Sequence, residues 1–164
     1  MKGMKDITKT AWWGYVSHDI QELMQESLVL LKTVESWNVS FHDYSFVVFP
    51  AAKAYEGFLK KLFLDMKLIS SDDYYGKHFR IGKSLNPHLE KRLRNNDWVY
   101  AKLSEYCGGK DLPDFLWNTW KESRNMVFHW FPNEANAITK EEARARVNMV
   151  IESFDRAFES CRVQ

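Results

Sequence analysis

The feature that most constrains this chain is how seldom its apolar rhythm is interrupted. Only four prolines and seven glycines punctuate 164 residues. Between them, apolar side chains recur at steps of three and four, the spacing that lines one face of an α-helix. Ile20, Leu23, Met24, Ser27, Leu30, Leu31 and Val34 form such a stripe in a first helix over about residues 17–37. A second covers about residues 46–66, with Phe58, Leu59, Leu62, Phe63 and Met66 in its later half. Pro50 falls in its opening turns, where proline is tolerated, and marks an alternative start. The run Ser45, Phe46, Val47, Val48, Phe49 has strand-forming residues, but its continuity with the next stripe favours helix.

Residues 69–87 read as irregular, with Asp-Asp, Tyr-Tyr-Gly and Ile-Gly-Lys-Ser as turn signals. A third helix is expected from Asn86, as cap, and Pro87 to about Cys107, stopped by Gly108 and Gly109. Asp111 caps a fourth, with Pro113 in its first turn, running to near Phe131, where Pro132 ends it. The fifth opens at Thr139, where Thr-Lys-Glu-Glu is a capping box, and carries Ala143, Val147, Val150, Ile151, Phe154 and Phe158 as its apolar stripe. No segment alternates as a strand does, and no repeat or linker appears. The expected fold is all-α: a compact bundle of four to five helices in a single domain over residues 1–164, the bundle itself at about 17–162.

Net charge is +1, so any affinity for nucleic acid must come from a local patch. Cys107 and Cys161 offer neither metal spacing nor a disulfide framework, which fits a reducing compartment. The lysines of the first ten residues are not followed by an apolar stretch of signal-peptide length, and no window has the apolar length of a membrane span. The expectation is a cytoplasmic protein without membrane contact. His18, His42, His78 and His88 form no ligand spacing, and there is no glycine-rich phosphate loop or Ser/Cys triad signature, so neither metal nor cofactor is expected. Aromatic residues are in excess, 15% with seven tryptophans. Core filling accounts for most of the rings, and a partner surface is the other use for them.

The chemistry-bearing stretch is Ser123, Arg124, Asn125, Met126, Val127, Phe128, His129. Histidine moves protons near neutral pH, and the arginine fork holds a phosphate. On an unbroken fourth helix, Leu116, Trp120, Ser123, Val127 and Trp130 share the buried stripe. Arg124 then falls roughly 80° to one side, Asn125 roughly 180° away and His129 roughly 220° round. Trp117 and Phe128 fall on the same outer half. A surface that combines such rings with reactive groups suits a second subunit, and a twofold axis would gather two copies of Arg124 and His129 in one cleft. The alternative reading is a helix C-terminus decorated by cations that suit its dipole, with His129 in the last turn before Pro132.

Arg124, Asn125, three residues and His129, near the end of the penultimate long helix of a bundle, resemble the motif of the HEPN superfamily of ribonucleases. The pattern is further similar to the HEPN portion of RnlA/LsoA-type toxins of toxin–antitoxin systems. There a basic residue and a glutamate lie one helical turn apart on an earlier helix, as Lys53 and Glu56 do here. The likeness spans about residues 17–162 and leaves out the additional N-terminal domains of those toxins.

The resemblance implies a metal-independent endoribonuclease acting at a homodimer interface, with attack of the ribose 2′-hydroxyl on the adjacent phosphate and a 2′,3′-cyclic phosphate as product. His129 would transfer the proton, Arg124 would stabilise the transition-state charge, and Asn125 would orient histidine, substrate or partner motif. Glu56 would orient Arg124 or share in proton transfer, with Lys53 on phosphate. For Lys53 and Glu56 the other reading is a surface ion pair. An antitoxin or other inhibitory protein is the further partner such a resemblance implies.

Residues 77–94 contain Lys77, Arg80, Lys83, Lys91, Arg92 and Arg94 against one acid, Glu90, with His78, Phe79 and His88 interleaved. A basic loop with aromatics suits a phosphate backbone and unstacked bases, with Arg80 and Lys83 as RNA contacts. Its alternative is a solvated loop balanced by Asp72, Asp73 and Asp97. Two functions compete with the nuclease: a non-catalytic HEPN-like module that binds RNA or protein, and a helical scaffold or antitoxin-like subunit with no nucleic-acid contact.

Overall fold

The longest apolar stripes in the sequence become helix. The computed structural model describes residues 5–160, the side chain of Glu134 excepted; Lys2, Cys161 and Arg162 lie outside the described residues. Seven α-helices follow in order among the described residues: α1 (His18–Ser36), α2 (Ser45–Asp65), α3 (Ser71–Tyr75), α4 (Ile81–Ser84), α5 (Val99–Tyr106), α6 (Asp111–Trp120) and α7 (Lys140–Ser160). No strand forms among them. α1, α2, α6 and α7 build the bundle, with α2 packed between α1 and α7 and α6 laid along α7.

α2 is the central helix because its apolar face is broad. Val47, Val48, Ala51, Ala54, Tyr55, Phe58, Leu59, Leu62 and Phe63 are all buried. Phe58 stacks on Phe154 of α7 at 4.0 Å between ring centroids, and Trp12 meets the edge of the same ring at 4.8 Å. The buried hydroxyls between α2, α6 and α7 are paired. The Tyr55 hydroxyl donates to the Leu116 carbonyl at 2.9 Å, and Ser153 donates to Thr119 at 2.8 Å. Burial, which disfavours phenolate, drives the Tyr55 hydroxyl well above its ordinary range and keeps it a donor.

Pro50 does not begin α2. The helix starts at Ser45 and runs through the proline. Proline lacks an N–H, and its ring crowds the carbonyl four residues back. The buried Ser27 hydroxyl of α1 sits at this defect: it accepts from the Ala51 N–H at 3.0 Å and donates to the Val47 carbonyl at 2.6 Å. A helical turn opened by proline is thus spliced by a serine from the neighbouring helix.

The capping box at Thr139 forms as its sequence implies. The Thr139 N–H donates to Glu142 at 2.7 Å, and the Glu142 N–H donates to Thr139 Oγ1 at 3.2 Å. Gly108 adopts φ +67° and ends α5, with the Gly109 N–H donating to the Ser104 carbonyl at 2.9 Å.

Three segments depart from expectation. The third helix, expected from Asn86, is helical as α5 only from Val99. Short polar side chains capture nearby backbone groups instead: Asn86 accepts from the His88 N–H at 2.8 Å, Asn95 accepts from the Asp97 N–H at 3.1 Å, and Trp98 Nε1 donates to the Asn86 carbonyl at 2.9 Å. The stretch expected to be irregular holds α3 and α4, and α3 is opened by a Ser70–Asp73 capping box.

The third departure lies at the motif. α6 ends at Trp120 and widens into a π-helical turn over Lys121–Asn125, closed by the Met126 N–H on the Lys121 carbonyl at 2.9 Å. The chain then bends away rather than continuing to Phe131. Single π turns of this kind recur at functional sites. Ser123 donates to the Arg146 carbonyl at 3.3 Å and Glu122 pairs with Arg146 at 3.1 Å, so the widened turn is fastened to α7.

Candidate active site

The π turn corrects the placement of side chains beyond Lys121. Leu116, Trp120, Ser123 and Val127 are buried as the stripe requires, but Trp130, expected with them, is 76% exposed. Trp117 and Phe128, expected on the outer half, pack against this chain's own core. Phe49, Trp130 and Phe131 are among the rings left to solvent. His129 stands past the helix end in a bend, not in its last turn.

The change of path brings four expected site residues together. Lys53 and Glu56 of α2, Arg124 of the π turn and His129 of the bend line one cleft of about 300 Å³. Phe49 and Phe128 line it as well and meet edge to face at 5.5 Å, joining the α2 wall to the wall that carries the motif. Both cations rest on aromatic faces: Arg124 lies 5.3 Å from the Trp120 centroid and Lys53 lies 5.9 Å from that of Phe49. Among the described residues Glu56 forms no ion pair with Lys53 or Arg124. The surface-pair reading of Lys53 and Glu56 therefore finds no contact here. Lys53 and His129 are exposed, while Glu56 and Arg124 are half-buried, an arrangement open to a polyanion.

Asn125 is half-buried and does not line this cleft. Arg80 and Lys83 line a separate narrow crevice with His78 and Trp98. The Arg80 guanidinium is folded onto the carbonyls of Lys77 and Phe79, the latter at 3.1 Å. Arg92 pairs with Glu90 at 2.6 Å, and Arg94 stacks over Trp98 at 4.2 Å while donating to the Leu89 carbonyl. Much of the basic run is thus engaged by its own loop.

A second cleft, of about 320 Å³, adjoins the first and shares Phe128 and His129 with it. His42 lines it, a histidine for which the sequence suggested no partner. The loop is pinned on both sides of His42. The Phe41 N–H donates to the Tyr44 hydroxyl at 3.2 Å, and Asp43 Oδ1 accepts from Ser45 N–H at 3.0 Å and from Ile138 N–H at 3.1 Å. Burial opposes ionisation of Asp43, but these N–H groups and the Ser45 hydroxyl together hold its carboxyl below the ordinary range. Across the cleft, Asn136 accepts from the Phe131 N–H and donates to the Met126 carbonyl, each at 3.3 Å, closing the bend that presents His129.

Among the described residues no three His, Cys, Asp or Glu side chains stand together as a metal site, and no helix is long and apolar enough to cross a membrane. Comparison with known protein families, characterised proteins and solved structures yields no match.

Proposed function

We propose that this chain is a metal-independent endoribonuclease of HEPN type, cytoplasmic, acting as a toxin or antiphage-defence effector held in check by an inhibitory protein. The supporting observation is the convergence of Arg124, His129, Lys53 and Glu56, from two separate segments, on one open cleft. The scissile phosphate is held by Arg124 and Lys53, and the guanidinium neutralises charge that grows on the non-bridging oxygens as the 2′-oxygen attacks phosphorus. His129 moves the proton. Glu56 supplies a carboxylate that accepts a hydrogen bond from imidazole or ribose. Two copies related by a twofold axis bury the exposed Phe49, Trp130 and Phe131.

The purified protein, freed of inhibitor, is expected to cut single-stranded RNA in EDTA and to leave 2′,3′-cyclic phosphate and 5′-hydroxyl ends. Products with 3′-hydroxyl and 5′-phosphate ends would contradict the mechanism. A second reading, a non-catalytic module that binds RNA or protein, draws on the exposed rings beside the clefts; RNA bound but left intact at high protein concentration would favour it.

A further inference from the structure

The cleft that His129 shares with His42 offers a second proton-transfer group from the same chain. His129 is the one histidine common to the two adjoining clefts, with Arg124 on one side and His42 on the other. Both imidazoles are exposed, and both are carried by short segments fixed by hydrogen bonds rather than by free loops. Those segments are also tied to each other, since Ser45 Oγ, which donates to Asp43 beside His42, lies 3.3 Å from the Val127 carbonyl two residues before His129. The separation of the histidines is therefore set by the framework.

Cleavage by an internal hydroxyl needs two proton transfers on opposite sides of phosphorus. We infer that His42 is the general acid of this site, protonating the leaving 5′-oxygen while His129 takes the proton from the 2′-hydroxyl. The inference rests on the nuclease reading above. The 2′-oxygen forms its bond to phosphorus as its proton passes to His129. The phosphorus–5′-oxygen bond breaks, its electron pair stays on oxygen, and the proton of the His42 imidazolium joins it. The products are a 2′,3′-cyclic phosphate and a 5′-hydroxyl, with one proton gained by His129 and one lost by His42. The scissile phosphate is placed where the two clefts join at His129, with Arg124 and Lys53 on the side of the first cleft and His42 on the side of the second. A single protomer then carries both acid and base, and any partner subunit adds phosphate contacts.

The test compares RNA with uridine 3′-(4-nitrophenyl phosphate), whose leaving group departs without a proton. His42→Ala and His42→Gln are expected to lose about 10²-fold or more on RNA, and to keep activity within a few-fold on the nitrophenyl ester. His129→Ala is expected to lose both. Circular dichroism and urea midpoints check that each variant is folded. Unchanged RNA cleavage in folded His42 variants, or an equal loss on both substrates, overturns the acid assignment and leaves the nuclease reading standing. A wild-type protein inert on both substrates ends the nuclease reading and this assignment with it.

Discussion

The Arg124 guanidinium lies 5.3 Å from the ring centroid of Trp120, a buried residue of its own helix. The aromatic face holds the cation, and among the described residues no carboxylate pairs with it, so the fork is open to a phosphate. Another neighbour of this indole is Gly82 of α4, where an added Cβ would stand 2.8 Å from Trp120 Nε1.

Gly82→Ala should therefore be destabilising. Glycine to alanine in a helix ordinarily gains about 0.5–1 kcal/mol. Here the indole is too buried to yield freely, and overpacking costs about 1–3 kcal/mol. A net loss of about 1 kcal/mol in urea unfolding is expected, with a lower kcat/KM on RNA as Arg124 moves with its support. A stabilised variant would show that α4 can retreat from Trp120.

Ser27→Ala leaves the Ala51 N–H and the Val47 carbonyl without the hydroxyl that bridges them. The expected cost is about 1–3 kcal/mol. In a Pro50→Ala background the helix is able to close its own hydrogen bond, and the cost of losing Ser27 should fall. A double-mutant cycle in urea measures this coupling; strictly additive effects would refute the splice.

Stability should decline on the acid side through Asp43. Its carboxyl is lower in the folded chain than the ordinary value near 3.9 of an unfolded one. The stabilisation is then fully present above the unfolded value and disappears as pH falls through the folded one. Asp43→Asn should flatten this acid limb in urea unfolding between about pH 2 and pH 5. It should also weaken RNA cleavage near neutral pH, because the same carboxylate pins the loop of His42 to the start of α7.

Trp130 contributes little to the core at 76% exposure, and Trp130→Ala should leave stability within about 0.5 kcal/mol. An indole beside the cleft proposed to hold phosphate is a stacking surface for an unpaired base, worth about 1–3 kcal/mol. Titration of an uncleavable 2′-deoxy or 2′-O-methyl oligonucleotide should show weaker binding of that size. Equal affinity would remove Trp130 from the RNA path.

The sequence showed most of the bundle and part of the site. α1, α2 and α7 were legible because each carries an apolar stripe longer than a few turns, and the Thr139 box announces itself within four residues. Residues 86–98 misled because the apolar spacing resembles a helix, whereas asparagine side chains close local turns. The π turn had no signature: nothing in Lys121 to Asn125 says that the Met126 N–H will bond five residues back, so a regular wheel sent Trp130 inward. Arg124 and His129 were named from residue type and spacing, Lys53 and Glu56 only from the family resemblance, and their meeting depends on the packing of α2 against that turn. His42 was missed because its place is set by Asp43 holding Ile138, a pairing across 95 residues that no local pattern records.

The most direct test of the account is the cleavage rate of single-stranded RNA in EDTA by the wild-type protein, Arg124→Ala and His129→Ala, with helicity and unfolding midpoint measured on the same samples. Both side chains line the cleft and neither is buried in the core, so both variants should fold as the wild type does. Each should lose about 10²-fold or more of its activity. Two folded variants that cut RNA at the wild-type rate would contradict the claim that this guanidinium and this imidazole do the chemistry.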